Sequence, residues 1–308
     1  MIPMKRFSAV LLLSLLAVAG YTQGGNNSKN ENKALLWRIS GNGLTKPSYL
    51  FGTIHMLCED DAVLSDSLKK AIRQCDDVYL EVQMDNLFEM LSAIGQMKMN
   101  GDTTLEDILS KEDYEKVKNY FEQKQSLIPF SMLETFKPIL AASTLEESTL
   151  PCGTPVAMEQ VIMEEAKSNE KEIKGLETMA YQAGILDSIP YALQAKQLVN
   201  YIDSAKKGVD ESKEFNELLD AYKKEDLNKL EELTKESDIG MSRYTDILLY
   251  NRNRNWVKKL KTLLPGKSLV IAVGAGHLPG EQGVINLLRK EGYTLTPIRN
   301  KEAGVKVI

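Results

Sequence analysis

Leu269–Val273, read LVIAV, limits what this chain can fold into more than any other stretch. Five consecutive apolar residues followed by glycine suit a strand covered on both faces, at the centre of an α/β sheet. Such a strand needs neighbours. ALLWRISGNGLTKPSYLFGTIHM alternates around Gly-Asn-Gly and predicts a β-hairpin, with strands near Leu35–Ser40 and Ser48–His55. DVYLEVQM predicts a compact strand ending near Glu81, and EIKGLE a shorter one ending at Glu177. Helical patterns cover Asp66–Cys75, about 86–150, Val156–Ser168 and Ala180–Lys261, with capping-box spacing at Thr104 and Ser110. The segment PGEQG after His277 predicts a helix, and a closing strand follows it. Strands at both ends with helices between them predict an α/β fold. Its sheet is mixed and flanked by helices, and a helical cap or sub-bundle occupies about 86–261.

Lys5 and Arg6, the apolar run Phe7–Ala19 and Ala17-Val18-Ala19 have the layout of an export signal. The expected division is a signal peptide over 1–20, a disordered leader over 21–33 and one domain over 34–308. That predicts a secreted or periplasmic protein, with a retained membrane anchor as the competing reading. No later apolar stretch is long enough to cross a bilayer. A formal net charge of −5 and the lack of a basic stripe argue against a nucleic-acid partner. Oligomeric state is not legible. Of three cysteines, Cys75 is expected buried and reduced, and Cys58 and Cys152 in loops are the natural pair. Three unpaired thiols is the alternative.

The chain has two histidines, and each closes a predicted strand in the pattern Gly-x-x-His: Gly52 to His55 and Gly274 to His277. Ligands of open α/β sheets bind beyond the carboxyl ends of strands, where both histidines fall. A glycine there lets backbone or ligand approach closely. Glu81 and Glu177 also end strands, and Glu159 interrupts an apolar helical face. Arg252 and Asn253, in YNRNRNW, could hold a carboxylate or polarise a carbonyl. Two imidazoles and a carboxylate form an N/O set suited to manganese, iron, cobalt or zinc, with positions left for water. With one or two carboxylates in such a set, His55, His277 and Glu81 are the candidate metal ligands, and Glu177, which ends its strand in the same manner, is a further candidate. His55, Glu81 and His277 are also the candidate catalytic residues, together with Arg252 and Asn253.

LWRISGNGLTKPSYLFGTIHM, VYLEVQMD, IKGLETMAYQ, YNRNRNW and VIAVGAGHLPGEQGVINLLRKEGYTLTPI resemble, in order, the signature segments of the TraB/GumN family, which includes the Tiki proteases. The resemblance spans roughly residues 35 to 298. It implies an erythromycin-esterase-like and ChaN-like α/β fold. It also implies a metal-dependent peptidase activated by manganese or cobalt, with a peptide or protein substrate and with His55, Glu81 and His277 at its centre. Where many relatives read Gly-Val-Asp, this chain reads Ala157-Met158-Glu159, an acid longer by one methylene. Two rival readings stand beside a metal-dependent hydrolase. One is a metal-free His/Glu hydrolase of esterase type, and the other a non-enzymatic protein that binds a peptide or haem.

Overall fold

The computed structural model describes residues 33–124, 128–147, 155–206, 212–236 and 244–299. The expected signal peptide, most of the leader and Cys152 lie outside the described residues.

The chain opens on the expected hairpin. Strands β1 (Leu36–Gly41) and β2 (Ser48–Thr53) pair antiparallel, Leu36 facing Phe51. Gly41, Asn42 and Gly43 all take positive φ, so the Gly-Asn-Gly run supplies the left-handed backbone that reverses the chain. There follow β3 (Leu57–Cys58), α1 (Asp66–Gln74), β4 (Asp77–Leu80) and α2 (Leu87–Met97). Ser65 caps α1 by accepting from the Leu68 amide. Next come α3 (Lys111–Lys124), α4 (Pro138–Glu147), β5 (Pro155–Val156), α5 (Met158–Ser168) and β6 (Glu172–Gly175). Helices α6 (Met179–Ile185), α7 (Tyr191–Lys206), α8 (Ser212–Lys223), α9 (Leu227–Glu236) and α10 (Asn251–Leu263) lead back to the sheet. Strand β7 (Leu269–Gly274), α11 (Val284–Lys290) and β8 (Tyr293–Ile298) complete it.

The six-stranded sheet has the order β6-β4-β7-β2-β1-β8. As its apolar run requires, β7 lies inside, parallel to β4 on one side and β2 on the other. Strand β6 extends the parallel set, while β1 runs antiparallel to both β2 and β8. Four adjacent parallel strands thus deliver their carboxyl ends to one edge of the molecule. Helices cover the sheet through a core that includes Trp37, Ile39, Leu50, Ile72, Val78, Trp256 and Val270. Removing that apolar surface from water is the main favourable term. The middle helices have a separate core around Val117, Phe121, Leu133, Ala195 and Leu198, a sub-bundle of its own.

One expectation is corrected. The helix predicted to open right after His277 starts only at Val284, and Ala275–His277 forms a 3₁₀ turn. The delay follows from glycine. Gly280 takes a φ of 82°, and a Cβ on Gly283 would lie 2.0 Å from the Pro279 carbonyl oxygen. The chain must make a tight turn there before a helix can begin.

Cys75 is a buried free thiol, pushed up to about 11 by desolvation. Strand β3 pairs with β5 and sets Cys58 opposite Pro155, three residues from Cys152 in sequence. Alkylation of the unfolded, unreduced protein should therefore modify one thiol per chain. Modification of three would remove the Cys58–Cys152 bridge.

Candidate functional site

Each of the four parallel strands leads into a polar residue at or just past its carboxyl end. Thr53 ends β2 and leads to His55; Glu81 follows β4; Glu177 lies just past β6; and His277 follows β7 through one turn. The backbone ties β6 to β4 even beyond the strands, since the Glu177 amide donates to the Glu81 carbonyl at 2.9 Å. Gly274 is the point where the side chains meet. A Cβ built on it would lie 3.3 Å from Glu81 Oε1, 3.6 Å from His277 Cδ2 and 4.0 Å from His55 Nε2. Gly52 has a different task. A Cβ there would stand 2.4 Å from Leu278 Cδ1 and 3.1 Å from Ala275 Cα, so its bareness lets the His277 turn pack against β2.

Arg252, on the first turn of α10, is the fixed cation of the site. Its Nη2 donates to Glu81 Oε2 at 2.5 Å, and its Nε donates to Glu177 Oε1 at 2.9 Å. The three side chains are at most 9% exposed. Glu81 also accepts from the Gly274 amide at 2.8 Å and from Gln182 Nε2 at 2.9 Å. Burial opposes its charge. His277 and Arg252 together with these donors outweigh burial and hold its carboxyl down at about 2. Glu177 is shifted the other way. Burial raises it, although Arg252 and the Trp256 indole N–H, 2.9 Å from Oε2, both favour the anion. One guanidinium between two buried carboxylates satisfies its donors through a planar fork, which lysine cannot reproduce.

Each imidazole is oriented from behind. His277 is buried beneath the Trp256 ring, centroid to centroid 4.5 Å. Asn253 uses its amide N–H₂ on the Gln282 and His277 carbonyls, so its Oδ1 accepts from His277 Nδ1 at 2.6 Å. That assignment leaves the lone pair on Nε2, which faces Arg252 Nη1 at 3.3 Å and Glu81 Oε1 at 3.7 Å. Burial pulls the ring down to about 4, so it is neutral at physiological pH. His55 differs: 72% of its side chain is exposed. Its Nδ1 lies 2.9 Å from Glu159 Oε1, and this partner raises its pKa. Glu159 is buried at the start of α5, and the same oxygen accepts from Thr53 Oγ1 at 2.6 Å. Its other oxygen, Oε2, is buried with no hydrogen-bond partner.

The cluster holds three carboxylates with buried side chains, Glu81, Glu159 and Glu177, against one guanidinium, the neutral buried imidazole of His277 and the exposed imidazole of His55, whose pKa Glu159 raises; three carboxylates outnumber the cations even when His55 is charged. That surplus of negative charge, with one carboxylate oxygen unpartnered, suits an additional cation. The imidazoles also carry a recurring mark of metal-binding histidines. Each gives its outer N–H to a fixed oxygen and turns its Nε2 toward the site. Glu81 Oε1 and His277 Nε2 are separated by a distance that two ligands of one ion span at bonds of about 2.1 Å. Among the described residues, no three His, Cys, Asp or Glu side chains stand close enough together to grip an ion, so loading requires side-chain adjustment. The donor types, two imidazole nitrogens and a carboxylate, are those a divalent metal takes, while their present spacing does not form a site.

A place beyond a strand end would leave either imidazole exposed, but only His55 is. His277 is buried because its turn folds under α10. A pH dependence of stability follows. In metal-free protein the folded state resists protonating His277 between 6.5 and about 4, whereas the unfolded chain takes the proton. The contribution is present above 6.5 and lost as pH falls through 4, on the order of 3 kcal/mol in total. Glu81 adds a loss of the same sign between 4.5 and about 2. Denaturation midpoints of metal-free protein should fall steadily below pH 6.5, and His277→Asn should flatten that slope above pH 4.5.

Three site residues went unassigned in the sequence. Trp256 sits one helical turn after Arg252, so the i,i+4 spacing was its signal. Gln182 lies in the quoted IKGLETMAYQ segment, and Thr53 inside the first Gly-x-x-His motif. Nothing in the sequence tells that either bonds a buried carboxylate.

The fold and site define a mixed α/β protein with a polar, charge-coupled cluster where parallel strands end. The chain belongs to the TraB/PrgY/gumN family, whose model matches residues 35–297. It is 23% identical to metalloprotease TIKI2 of Danio rerio over 86% of this chain and 61% of that protein. A metalloprotease TIKI homolog of Amphimedon queenslandica is 24% identical over 93% of this chain and 65% of its own length. Protein YbaP of Shigella flexneri is 26% identical over 79% of this chain and 88% of its own. The chain spans about two thirds or less of the length of these two TIKI relatives. No solved structure matches it. Among the described residues, no helix is long and apolar enough to cross a membrane.

Proposed function

We propose that this chain is an exported, divalent-metal-dependent hydrolase that cleaves peptide bonds. The observation that carries the reading is the pair of imidazoles, each anchored through Nδ1 and turned by Nε2 toward Glu81 at one strand-end edge. Relatives named metalloproteases support the same class at a distance. His55, Glu81 and His277 would hold the ion. When bound, a divalent ion supplies Lewis acidity toward water and a scissile carbonyl. The remaining chemistry belongs to the chain. Asn253 keeps the proton of His277 on Nδ1, and Glu159 does the same for His55, so both lone pairs stand on Nε2; that of His277 takes a hydrogen bond from Arg252 Nη1 at 3.3 Å, which would have to give way before that nitrogen could hold an ion. Arg252, held by Glu81 and Glu177, directs fixed positive charge at the place where a carbonyl oxygen would gain negative charge. Gly274 leaves room there for a main chain.

The test is cleavage of a peptide library by the purified mature protein with manganese, with cobalt and with chelator. The reading expects ion-dependent products. Cleavage that survives exhaustive chelation would favour the metal-free alternative, in which His55 backed by Glu159 accepts a proton from water. Glu159→Gln should keep the fold and weaken manganese binding by roughly 10–100-fold, as expected for a residue behind a metal-binding histidine. Unchanged affinity in that variant would separate Glu159 from the site.

A further inference from the structure

Lys137 has no exposed side-chain surface, and the chemistry at the strand ends makes no use of it. It stands between Phe136 of the sub-bundle core and the start of α4. An ammonium taken out of water needs partners. Its Nζ lies 2.9 Å from Asp187 Oδ1 and donates to the Ala183 carbonyl at 2.8 Å. Ala183 belongs to the last turn of α6, so the lysine brings positive charge to the carbonyl end of that helix, where the helix dipole favours it. Two residues of α7 grip the same end. Gln194, fully buried, donates to the Leu186 and Ile189 carbonyls, both at 2.9 Å, and the Tyr191 hydroxyl donates to Asp187 Oδ1 at 2.5 Å. The other end of α6 is held from α2, where Glu89 accepts from the Met179 amide at 3.2 Å and sets a carboxylate at the positive pole.

A helix of seven residues is too short to persist in water by itself, so these outside groups decide where α6 lies. What they place is Gln182. It directly precedes Ala183, and its Nε2 donates to Glu81 Oε2 at 2.9 Å and to Glu177 Oε1 at 3.4 Å. Glu81 Oε2 is thereby held from behind by Gln182 and Arg252, while Oε1 turns to the Gly274 amide and His277. We infer that the helical sub-bundle places α6 for the strand-end site, with Lys137 as a positioning residue that acts through Gln182 on Glu81. The inference rests on the hydrolase reading for what Glu81 does once placed. It gives the middle helices a task at a site whose carboxylates and imidazoles they do not supply.

The test is a double-mutant cycle, since coupling shows as non-additivity. One arm is Lys137→Met/Asp187→Asn, which removes the buried pair without stranding a charge. The other is Gln182→Leu. The first signal is the Trp256 indole N–H resonance of protein in chelator, because that proton is bonded to Glu177 Oε2 and the chain has only two tryptophans. Removing the pair should shift it when Gln182 is present and leave it in place in the Gln182→Leu background. The second signal is manganese affinity of the metal-stripped protein. Each arm alone should weaken it by about tenfold, as expected for a group behind a metal ligand, and the combination by no more than that. A lysine with a merely structural role would lower the thermal midpoint and leave both signals of the folded protein unmoved. That result, or effects of the two arms that simply add, overturns the inference. Asp187→Asn alone, which keeps an oxygen for Tyr191, takes the place of the pair variant should that fail to fold. Wild-type protein that binds no manganese would sink the hydrolase reading, and the Trp256 resonance would still decide whether Lys137 acts through Gln182.

Discussion

Arg252→Met is expected to cost the folded protein about 3–5 kcal/mol and to abolish turnover. The stability loss has little to do with the salt bridges as sources of net stabilisation. A buried ion pair roughly breaks even against a hydrophobic replacement, because desolvation offsets its attraction. The cost comes from what remains. Glu81 and Glu177 are at most 8% exposed in their side chains, and both lean on the same guanidinium. Without it, two carboxylates sit in low dielectric, and one must take up a proton or draw in water. Arg252→Lys should recover only part of the loss, since one ammonium cannot reach Glu81, Glu177 and the Leu248 carbonyl in the fork geometry seen here. Arg252→Met/Glu177→Gln should be more stable than Arg252→Met, because it removes one stranded charge. Urea unfolding of the three variants checks this. A single variant within about 1 kcal/mol of wild type would mean that the guanidinium is not the counter-ion of the site.

His55→Ala should separate function from folding in the opposite way. The His55 side chain is largely exposed, and its loss removes one hydrogen bond at the surface of Glu159. Unfolding free energy should fall by about 1 kcal/mol, well short of the Arg252→Met loss, because buried Glu159 loses its imidazole partner but keeps its hydrogen bond from Thr53. Activity should fall at least about 100-fold, a scale reached even by residues that only support metal-binding histidines. His277→Ala makes the contrast. It strands Asn253 Oδ1 and opens a hole beneath Trp256, so it should lose activity and roughly 1–3 kcal/mol of stability together. Hydrolysis and unfolding measured side by side decide the matter. Full activity in His55→Ala would take the exposed imidazole out of the site.

Much of this was legible in the residues. The LVIAV run demanded an interior strand and β7 is one; the Gly-Asn-Gly turn fixed the first hairpin; and the position of Glu81 and His277 at strand ends followed from where the apolar runs stop. What escaped was burial and pairing. Periodicity cannot tell that the turn carrying His277 tucks under α10 while His55 stays open. Arg252 and Glu177 are 75 positions apart in sequence, and only the β6–β4–β7 order brings them together. Glu159 read as an acid on an apolar helix face. Its bonds to Thr53 and His55 depend on where α5 meets the end of β2, a tertiary fact without a local signal.

The central claim is that side chains more than two hundred residues apart form one ion-binding centre. Isothermal titration of the metal-stripped protein with manganese tests it most directly. The account requires one ion per wild-type chain, with affinity weakening as acid protonates the imidazoles, and no comparable site in either His55→Ala or His277→Asn. Undiminished binding in both variants, or none in the wild type with manganese, cobalt, zinc or iron, would contradict it.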